Sequence, residues 1–279
     1  MCCAKSILSI CYIFIVYLAL NHLVVIPNLA SSSPSSLSDI NNVHGQPASI
    51  SKYPWTVSIE FENQILAGGT IVGKQHVLTN ARVFHDLPKK KNFYVVHMGT
   101  DQFYNHSLEE VGAMITIDEF KLHPDYNPET GANDLAIVKL AKPVPVNRHT
   151  IALAQLPNGK DGQVGDRAVA NGLYLPDPQR SDINFVLASL PMTIIDQQTC
   201  RTKTKDDNPY KLTEQMLCAV PQNARKGLCE HDIGFPLTTS TGHLIGLNSW
   251  YRTCDHTVGK PAVFTRIANY TDWIKQNLN

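Results

Sequence analysis

Three kinds of side chain in this 279-residue chain could carry chemistry: cysteines, histidines and the asparagines of glycosylation sequons. The cysteines number seven, and an odd number within one folded domain would leave a reactive thiol. The eleven histidines show no HExxH or comparable spacing, so the sequence predicts no metal site and no cofactor. Asn105-His106-Ser107 and Asn269-Tyr270-Thr271 match the Asn-x-Ser/Thr sequon, which can carry a glycan only in a secreted protein.

The positions of the cysteines account for the odd number. Cys2, Cys3 and Cys11 lie in a segment typical of a secretory signal peptide, in which Lys5 precedes an apolar run. We predict a signal peptide over residues 1–30 and therefore a secreted, extracellular protein. The alternative is a membrane anchor, because residues 7–26 approach the roughly 20 residues that span a bilayer. In an oxidising compartment the other four cysteines should all pair, which leaves no free thiol. These four are Cys200, Cys218, Cys229 and Cys254.

The composition excludes several classes of protein. A hydrophobic content of 43% with 17% charged residues is enough to form a full core, so the chain is expected to fold. Basic and acidic residues number 24 each, and this balance argues against a nucleic-acid partner. We expect a monomer with no membrane partner once the signal peptide is removed.

The pattern of the mature chain is that of a β protein. Residues 31–41 are Ser-rich and predict a flexible leader, and residues 42–279 form the domain. Short β-type runs recur between turn signals, whereas only the C-terminus has a helical period, at Ile267, Tyr270, Ile274 and Leu278. This spacing favours barrels or a sandwich. The predicted strands cover 55–61, 93–98, 113–117, 135–140, 167–170, 187–192, 244–250 and 262–265.

Several segments of this β-rich part resemble, in family order, the chymotrypsin/trypsin family of serine proteases. The resemblance covers about residues 42–279. The matching segments include Tyr53-Pro54-Trp55, Gly68-Gly69-Thr70, Leu78-Thr79, Asn133-Asp134-Leu135-Ala136, Met216-Leu217-Cys218-Ala219, Gly234-Phe235-Pro236-Leu237, Ser249-Trp250 and Lys260-Pro261-Ala262-Val263. The resemblance implies an all-β fold of two packed six-stranded antiparallel β-barrels with a C-terminal helix and an active site between the barrels.

The catalytic positions depart from the family pattern. The family uses a serine nucleophile, a histidine base and an aspartate that orients the histidine. Arg82 stands at the histidine position, and a guanidinium cannot accept a proton at any working pH. Ile233 replaces the serine and has no nucleophilic atom. Only Asp134 is retained, so we predict no catalytic residue and expect Arg82 to pair with Asp134.

The positions that support catalysis have also changed. His231 replaces a glycine whose N–H helps to form the oxyanion hole, which makes the hole doubtful. Asp232 is retained, although the family partner of this carboxylate is an N-terminus released after a basic residue. No Lys or Arg occurs between Lys5 and Lys52. Asp232 should therefore stay in a zymogen-like state or find another donor.

The resemblance further implies two disulfides and a specificity pocket. The disulfides are Cys200 with Cys218 and Cys229 with Cys254, while the family bridge beside the catalytic histidine is lost at both Ala67 and Val83. The pocket positions are Gly227, Ser249, Trp250, Tyr251 and Ala262. Tyr251 should narrow the entrance, and Gly227 offers no charge to a basic side chain. The segment 249–251 could pair with an extended peptide or form a core strand over a closed pocket.

We interpret the chain as a secreted, catalytically inactive serine protease homologue that acts by binding. Its unknown protein partner would be a protease, a protease substrate or an inhibitor, and its role that of a decoy, cofactor or regulator of a proteolytic cascade. Two alternatives stay open. One is an active endopeptidase or other hydrolase whose chemistry has moved to a histidine such as His85 or His231. The other is a glycan-binding or surface-binding module that uses the basic runs 89–91 and 201–205.

Overall fold

The chain folds into two closed antiparallel β-barrels of six strands each, so the predicted fold class is confirmed. The computed structural model describes residues 45–62, 64–85, 93–104, 112–174, 184–204, 211–250 and 258–278. The predicted signal peptide and Ser-rich leader, residues 1–41, lie outside these ranges. No helix within the described ranges is long and apolar enough to cross a membrane.

The first barrel closes in the order β2-β3-β4-β8-β7-β5. Alternate residues point inward, as in a half-buried strand: Val57 and Ile59 of β2 and Val96 of β5 are fully buried in one apolar cluster. The strands are β2 (Thr56–Phe61), β3 (Gln64–Gly73), β4 (His76–Thr79), β5 (Tyr94–Met98), β7 (Ala113–Leu122) and β8 (Ala136–Leu140).

The second barrel closes because β9 pairs with both β10 and β12. Its core contains Met192, Leu237 and Phe264, all fully buried. Two short strands, β1 (Gln46–Pro47) and β6 (Gln102–Tyr104), add to β10 from outside the barrel. The barrel strands are β9 (Arg167–Tyr174), β10 (Asn184–Ile195), β11 (Met216–Pro221), β12 (Pro236–Thr238), β13 (Leu244–Asn248) and β14 (Ala262–Arg266).

Three short α-helices complete the described structure: α1 (Arg82–His85), α2 (Gln197–Thr204) and α3 (Thr271–Gln276). The predicted C-terminal helix begins with a 3₁₀ turn, Ile267–Tyr270, before α3. The predicted apolar face is confirmed, because Ile267, Tyr270 and Ile274 are buried in one cluster and Leu278 packs against it.

The predicted strand 244–250 ends two residues early, at Asn248. The N–H groups of Ser249 and Trp250 both bind the carbonyl of Val263, at 3.0 and 3.2 Å. Two successive donors on one acceptor interrupt the regular ladder between β13 and β14. The predicted strand 244–250 is therefore wrong for Ser249 and Trp250, and Tyr251 lies outside the described residues.

Candidate functional site

The retained aspartate and the residue that replaces the base are brought together by two neighbouring strands of the first barrel. Thr79, the last residue of β4, is paired with Ala136, the first residue of β8. Arg82 begins α1 three residues after Thr79, and Asp134 lies two residues before Ala136. The strand register therefore places the two side chains on the same edge of the barrel.

Arg82 and Asp134 form an ion pair. Arg82 Nε lies 2.7 Å from Asp134 Oδ2, and the Arg82 backbone N–H donates to Asp134 Oδ1 at 2.9 Å. The Asp134 side chain is fully buried, while the Arg82 side chain is 17% exposed. Charge-assisted hydrogen bonds of this length are among the strong ones in proteins. The predicted pair is thus present, and the guanidinium neutralises a carboxylate that would otherwise be buried alone.

The carboxylate of Asp134 has two further donors. Ser249 Oγ donates to Oδ2 at 2.8 Å, and Asn80 Nδ2 donates to the same oxygen at 3.1 Å. Thr265 Oγ1 binds the backbone carbonyl of Asp134 at 2.9 Å. Asn80 is a site residue that the sequence reasoning missed, although it differs from the alanine of the family pattern. Oδ2 therefore accepts three hydrogen bonds and Oδ1 at least one, and the guanidinium at the base position cannot accept a proton.

Ile233 is a core residue. Its side chain is 6% exposed and belongs to the apolar cluster of the first barrel, together with Ala81 and Phe84 of the segment that carries Arg82. The backbone carbonyl of Ile233 accepts a hydrogen bond from the N–H of Gly68 at 2.8 Å. The position that holds the nucleophile in the family is therefore used for packing between the loop and the first barrel.

Phe235 is a second departure that the sequence reasoning did not use, although the family motif has glycine at this position. The ring is fully buried among Phe103, Leu173 and Leu187. It also lies against the backbone of Gly68 in β3, where an added Cβ would come within 2.3 Å of ring atoms. Phe235 therefore fills space between the strands of both barrels and requires glycine at position 68.

The loop before Ile233 is a short 3₁₀ helix, Glu230–Asp232. His231 lies in this helix with its side chain 54% exposed, and its ring contacts Phe185 at a centroid distance of 5.7 Å. A residue with a Cβ adopts this right-handed conformation without strain, which explains how histidine replaces the family glycine. His85, the other histidine considered for relocated chemistry, is exposed and packs edge to face on Tyr126 at 5.6 Å.

Asp232 is buried and held by backbone donors. Oδ1 accepts the N–H of Leu173 at 2.8 Å, and Oδ2 accepts the N–H of Cys229 at 2.7 Å. The approach to Leu173 depends on Gly172, because a Cβ there would lie 2.2 Å from Oδ1. Burial raises the pKa of Asp232 to about 6, and the two N–H donors oppose this rise.

The described part of the predicted specificity pocket is nearly filled. A cavity of about 10 Å³, with space for about one water molecule, is lined by Trp250 and Ala262 among others. Ser249 is engaged with Asp134, and Gly227 is buried. Tyr251 lies outside the described residues. The described part of the pocket therefore offers no room for an amino-acid side chain.

The structure contains the disulfide Cys200–Cys218, which joins α2 to β11. Cys229 is also disulfide-bonded, and its expected partner Cys254 lies outside the described residues. At the positions of the missing family bridge, Ala67 and Val83 are both buried in the first-barrel cluster.

The remaining predicted features lie on the surface. Asn269 is exposed on the 3₁₀ turn, and its amide contacts the carbonyl of Glu214 at 3.4 Å. Asn105 and the basic run 89–91 lie outside the described residues, as does Lys205. Among the described residues, no group of three or more His, Cys, Asp or Glu side chains could hold a metal ion.

Comparison with known proteins adds the family relationship. Residues 42–274 match the family model described as Trypsin. Human kallikrein-7 is 29% identical over 238 residues, which cover 85% of this chain and 87% of the relative. Chymotrypsin-2 of Vespa crabro is 28% identical over 238 residues, covering 84% of this chain and 99% of the relative.

Solved structures with the same fold include two inactivated protease paralogues of the scabies mite. Paralogue S-D1 has a TM-score of 0.71 at 20% identity, covering 84% of this chain and 96% of its own. Paralogue S-I1 has a TM-score of 0.69 at 27% identity, covering 84% and 97%. Neuropsin, a serine protease expressed in the limbic system of mouse brain, has a TM-score of 0.68 at 27% identity, covering 85% and 99%.

Proposed function

The chain belongs to the trypsin family of serine proteases, and within that family we propose that it is a secreted, catalytically inactive homologue that acts by binding a protein partner. The partner is a protease, a protease substrate or an inhibitor, and the role is that of a decoy, cofactor or regulator of proteolysis. One observation carries the proposal: the position of the base holds a guanidinium that is paired with Asp134 through Nε at 2.7 Å.

Three further features support the loss of hydrolysis. Ile233 provides no nucleophile, and its side chain packs in the first-barrel core. His231 lies in a 3₁₀ helix at the oxyanion position. The described part of the pocket holds a cavity of only about 10 Å³, which lacks room for a substrate side chain. Loss of base and nucleophile leaves at best the roughly 10³ to 10⁴-fold acceleration that binding and an intact oxyanion hole provide.

The comparison with scabies mite paralogue S-I1 also favours this proposal. That protein is described as an inactivated protease paralogue and is 27% identical to this chain over most of both chains. A trypsin-type fold that lacks the catalytic residues still has a large, well-ordered surface. Such a surface can act by binding another protein. The disulfide Cys200–Cys218 supports secretion, because disulfides persist in oxidising compartments.

The proposal is tested in two steps with purified mature protein. A fluorophosphonate probe should label active chymotrypsin and leave this protein unlabelled. The protein should then be titrated into a reaction in which an active trypsin-family protease from the same secretion cleaves its natural protein substrate. We expect a saturable change in that cleavage rate. Specific labelling, or a cleavage rate that stays constant at saturating protein, would contradict the proposal.

A further inference from the structure

A polar recess of about 210 Å³ lies on the outer face of the first barrel and shares no residue with the cleft described above. Its size is well above the roughly 10 to 15 Å³ that one water molecule requires but is below that of a drug-sized pocket, so a small ligand fits it. The polar lining comes from three strands and the end of α3: His76, Glu119, Lys121, Lys139, Gln276 and Asn277.

The strand register concentrates charge in this recess. Lys139 of β8 is paired with His76 of β4 on one side and with Glu119 of β7 on the other. Lys121, two residues along β7, donates from Nζ to Asn277 Oδ1 at 2.7 Å. Within the described part of the chain, no carboxylate lies within the 4.0 Å ion-pair distance of Lys121 or Lys139. With two ammonium groups and one carboxylate, the lining has an excess of one positive charge.

His76 provides the second reason to expect a ligand. The residue is only 7% exposed, yet no hydrogen-bond partner of its ring is found among the described residues. Burial and the neighbouring Lys139 lower the pKa of His76, so the imidazole is neutral near pH 7 and offers one N–H donor and one acceptor nitrogen. Neither ring nitrogen is among the buried atoms that lack a partner, so both are open to the recess, where a ligand can donate to one and accept from the other.

The lining favours a ligand that is both anionic and rich in hydroxyl groups. Two ammonium groups attract one sulfate or carboxylate group. The neutral imidazole and the amide of Gln276 match hydroxyl groups, which donate and accept at once. Ile137, at 4% exposure, contributes little apolar surface, which disfavours a hydrophobic ligand.

We propose that this recess binds an acidic sugar unit, a monosaccharide that carries one sulfate or carboxylate group. Lys121 and Lys139 hold the anionic group, and His76 and Gln276 bind hydroxyl groups of the ring. The site requires neither a protein partner nor catalysis, so its test is independent of the proposed function. It also differs from the basic runs 89–91 and 201–205 that the sequence suggested for glycan binding.

The probe for the test is glucose 6-sulfate, titrated into isotope-labelled protein and followed by NMR. Amide signals of β4, β7 and β8 should shift with a single dissociation constant. The double variant K121A/K139A should bind about tenfold more weakly, because two charge-assisted contacts are lost. The matched control K142A/K160A removes two exposed lysines outside the recess and should bind as the wild type does. E119Q removes the repelling carboxylate and should bind about threefold more tightly.

Two comparisons make the test decisive. Glucose and inorganic sulfate, each at the same ionic strength, should both bind at least about tenfold more weakly than glucose 6-sulfate. If glucose or inorganic sulfate bound as tightly as glucose 6-sulfate, the proposal would be overturned, since the site would then recognise only the sugar ring or only the anionic group. Unchanged affinity in K121A/K139A would also overturn it, provided that its urea midpoint matches that of K142A/K160A.

Discussion

Asp134 and Asp232 are two buried carboxylates of the same cleft, and the protein stabilises them in different ways. Asp134 has a side-chain cation, because Arg82 replaces the family histidine and binds it through Nε and the backbone N–H. Asp232 is held by the N–H groups of Leu173 and Cys229, and burial raises its pKa to about 6. One carboxylate is compensated by a charge, whereas the other moves toward its neutral form.

The difference shows two ways in which this fold accommodates a buried carboxylate whose family partner is absent. A buried carboxylate whose imidazole has gone would be destabilising, and the guanidinium satisfies the same oxygen atoms. Asp232 has kept the peptide donors of its own loop and of β9. The second solution depends on pH, because burial raises the pKa of Asp232 to about 6.

The largest effect is expected from Arg82→Ala. This change leaves Asp134 buried without its cation, and breaking one side of a buried pair costs about 3 to 4 kcal/mol. Urea unfolding at pH 7 should show the loss as a lower midpoint with an unchanged slope. Arg82→His is the matched control, because an imidazole also donates to the carboxylate, and it should cost less. A midpoint of Arg82→Ala equal to that of the wild type would show that the pair contributes nothing to stability.

The second prediction concerns Asp232 and pH. Because the native pKa exceeds the unfolded value of 3.8, the native state binds the proton more tightly than the unfolded state does. The stabilisation is complete below about pH 3.8 and is lost as the pH rises through about 6. The rise in pKa corresponds to about 3 kcal/mol.

The measurement is the free energy of unfolding of the wild type minus that of Asp232→Asn. It is made from about pH 3.5 to about pH 7.5, a range that covers both the unfolded and the native pKa of Asp232. Taking the difference removes the contribution of histidines and exposed carboxylates, which both proteins share. The difference should fall by about 3 kcal/mol over this range. A difference that is independent of pH would show that Asp232 has an ordinary pKa.

Ile233→Ser restores the family side chain and is expected to destabilise the protein by about 2 to 3 kcal/mol. The change removes buried apolar atoms and adds a hydroxyl to an apolar cluster. Ile233→Val is the control and should cost about 1 kcal/mol. Thermal or urea unfolding distinguishes them. If Ile233→Ser were as stable as the wild type, Ile233 would have to be a tolerated surface substitution instead of a core residue.

Most of the fold and the loss of the triad could be predicted from the sequence. The ordered motifs fixed the family, and Arg82 and Ile233 follow from their positions within those motifs. The pair between Arg82 and Asp134 was predictable because a buried aspartate needs a partner and the strand order brings the two segments together.

Other features required coordinates. Asn80 donates a hydrogen bond to the carboxylate of Asp134, 54 positions away in the chain. The replacement of the family alanine by Asn80 does not by itself reveal this contact. Phe235 belongs to a segment that resembles the family, although its ring replaces a glycine and fills space between strands of both barrels. Strand β13 ends early because the N–H groups of Ser249 and Trp250 share the carbonyl of Val263. The pattern of apolar and polar side chains does not indicate such a backbone hydrogen bond. The recess beside α3 gathers residues from three strands and a helix end.

The proposed loss of hydrolysis is tested most directly by the turnover of a diverse peptide library by the purified mature protein, with active chymotrypsin in parallel. We expect no cleavage above the rate in buffer at pH values on either side of neutrality. We expect the same result for His85→Ala and His231→Ala, since neither histidine serves as a relocated base. Specific cleavage by the wild type that either variant abolishes would show that the protein is an active hydrolase.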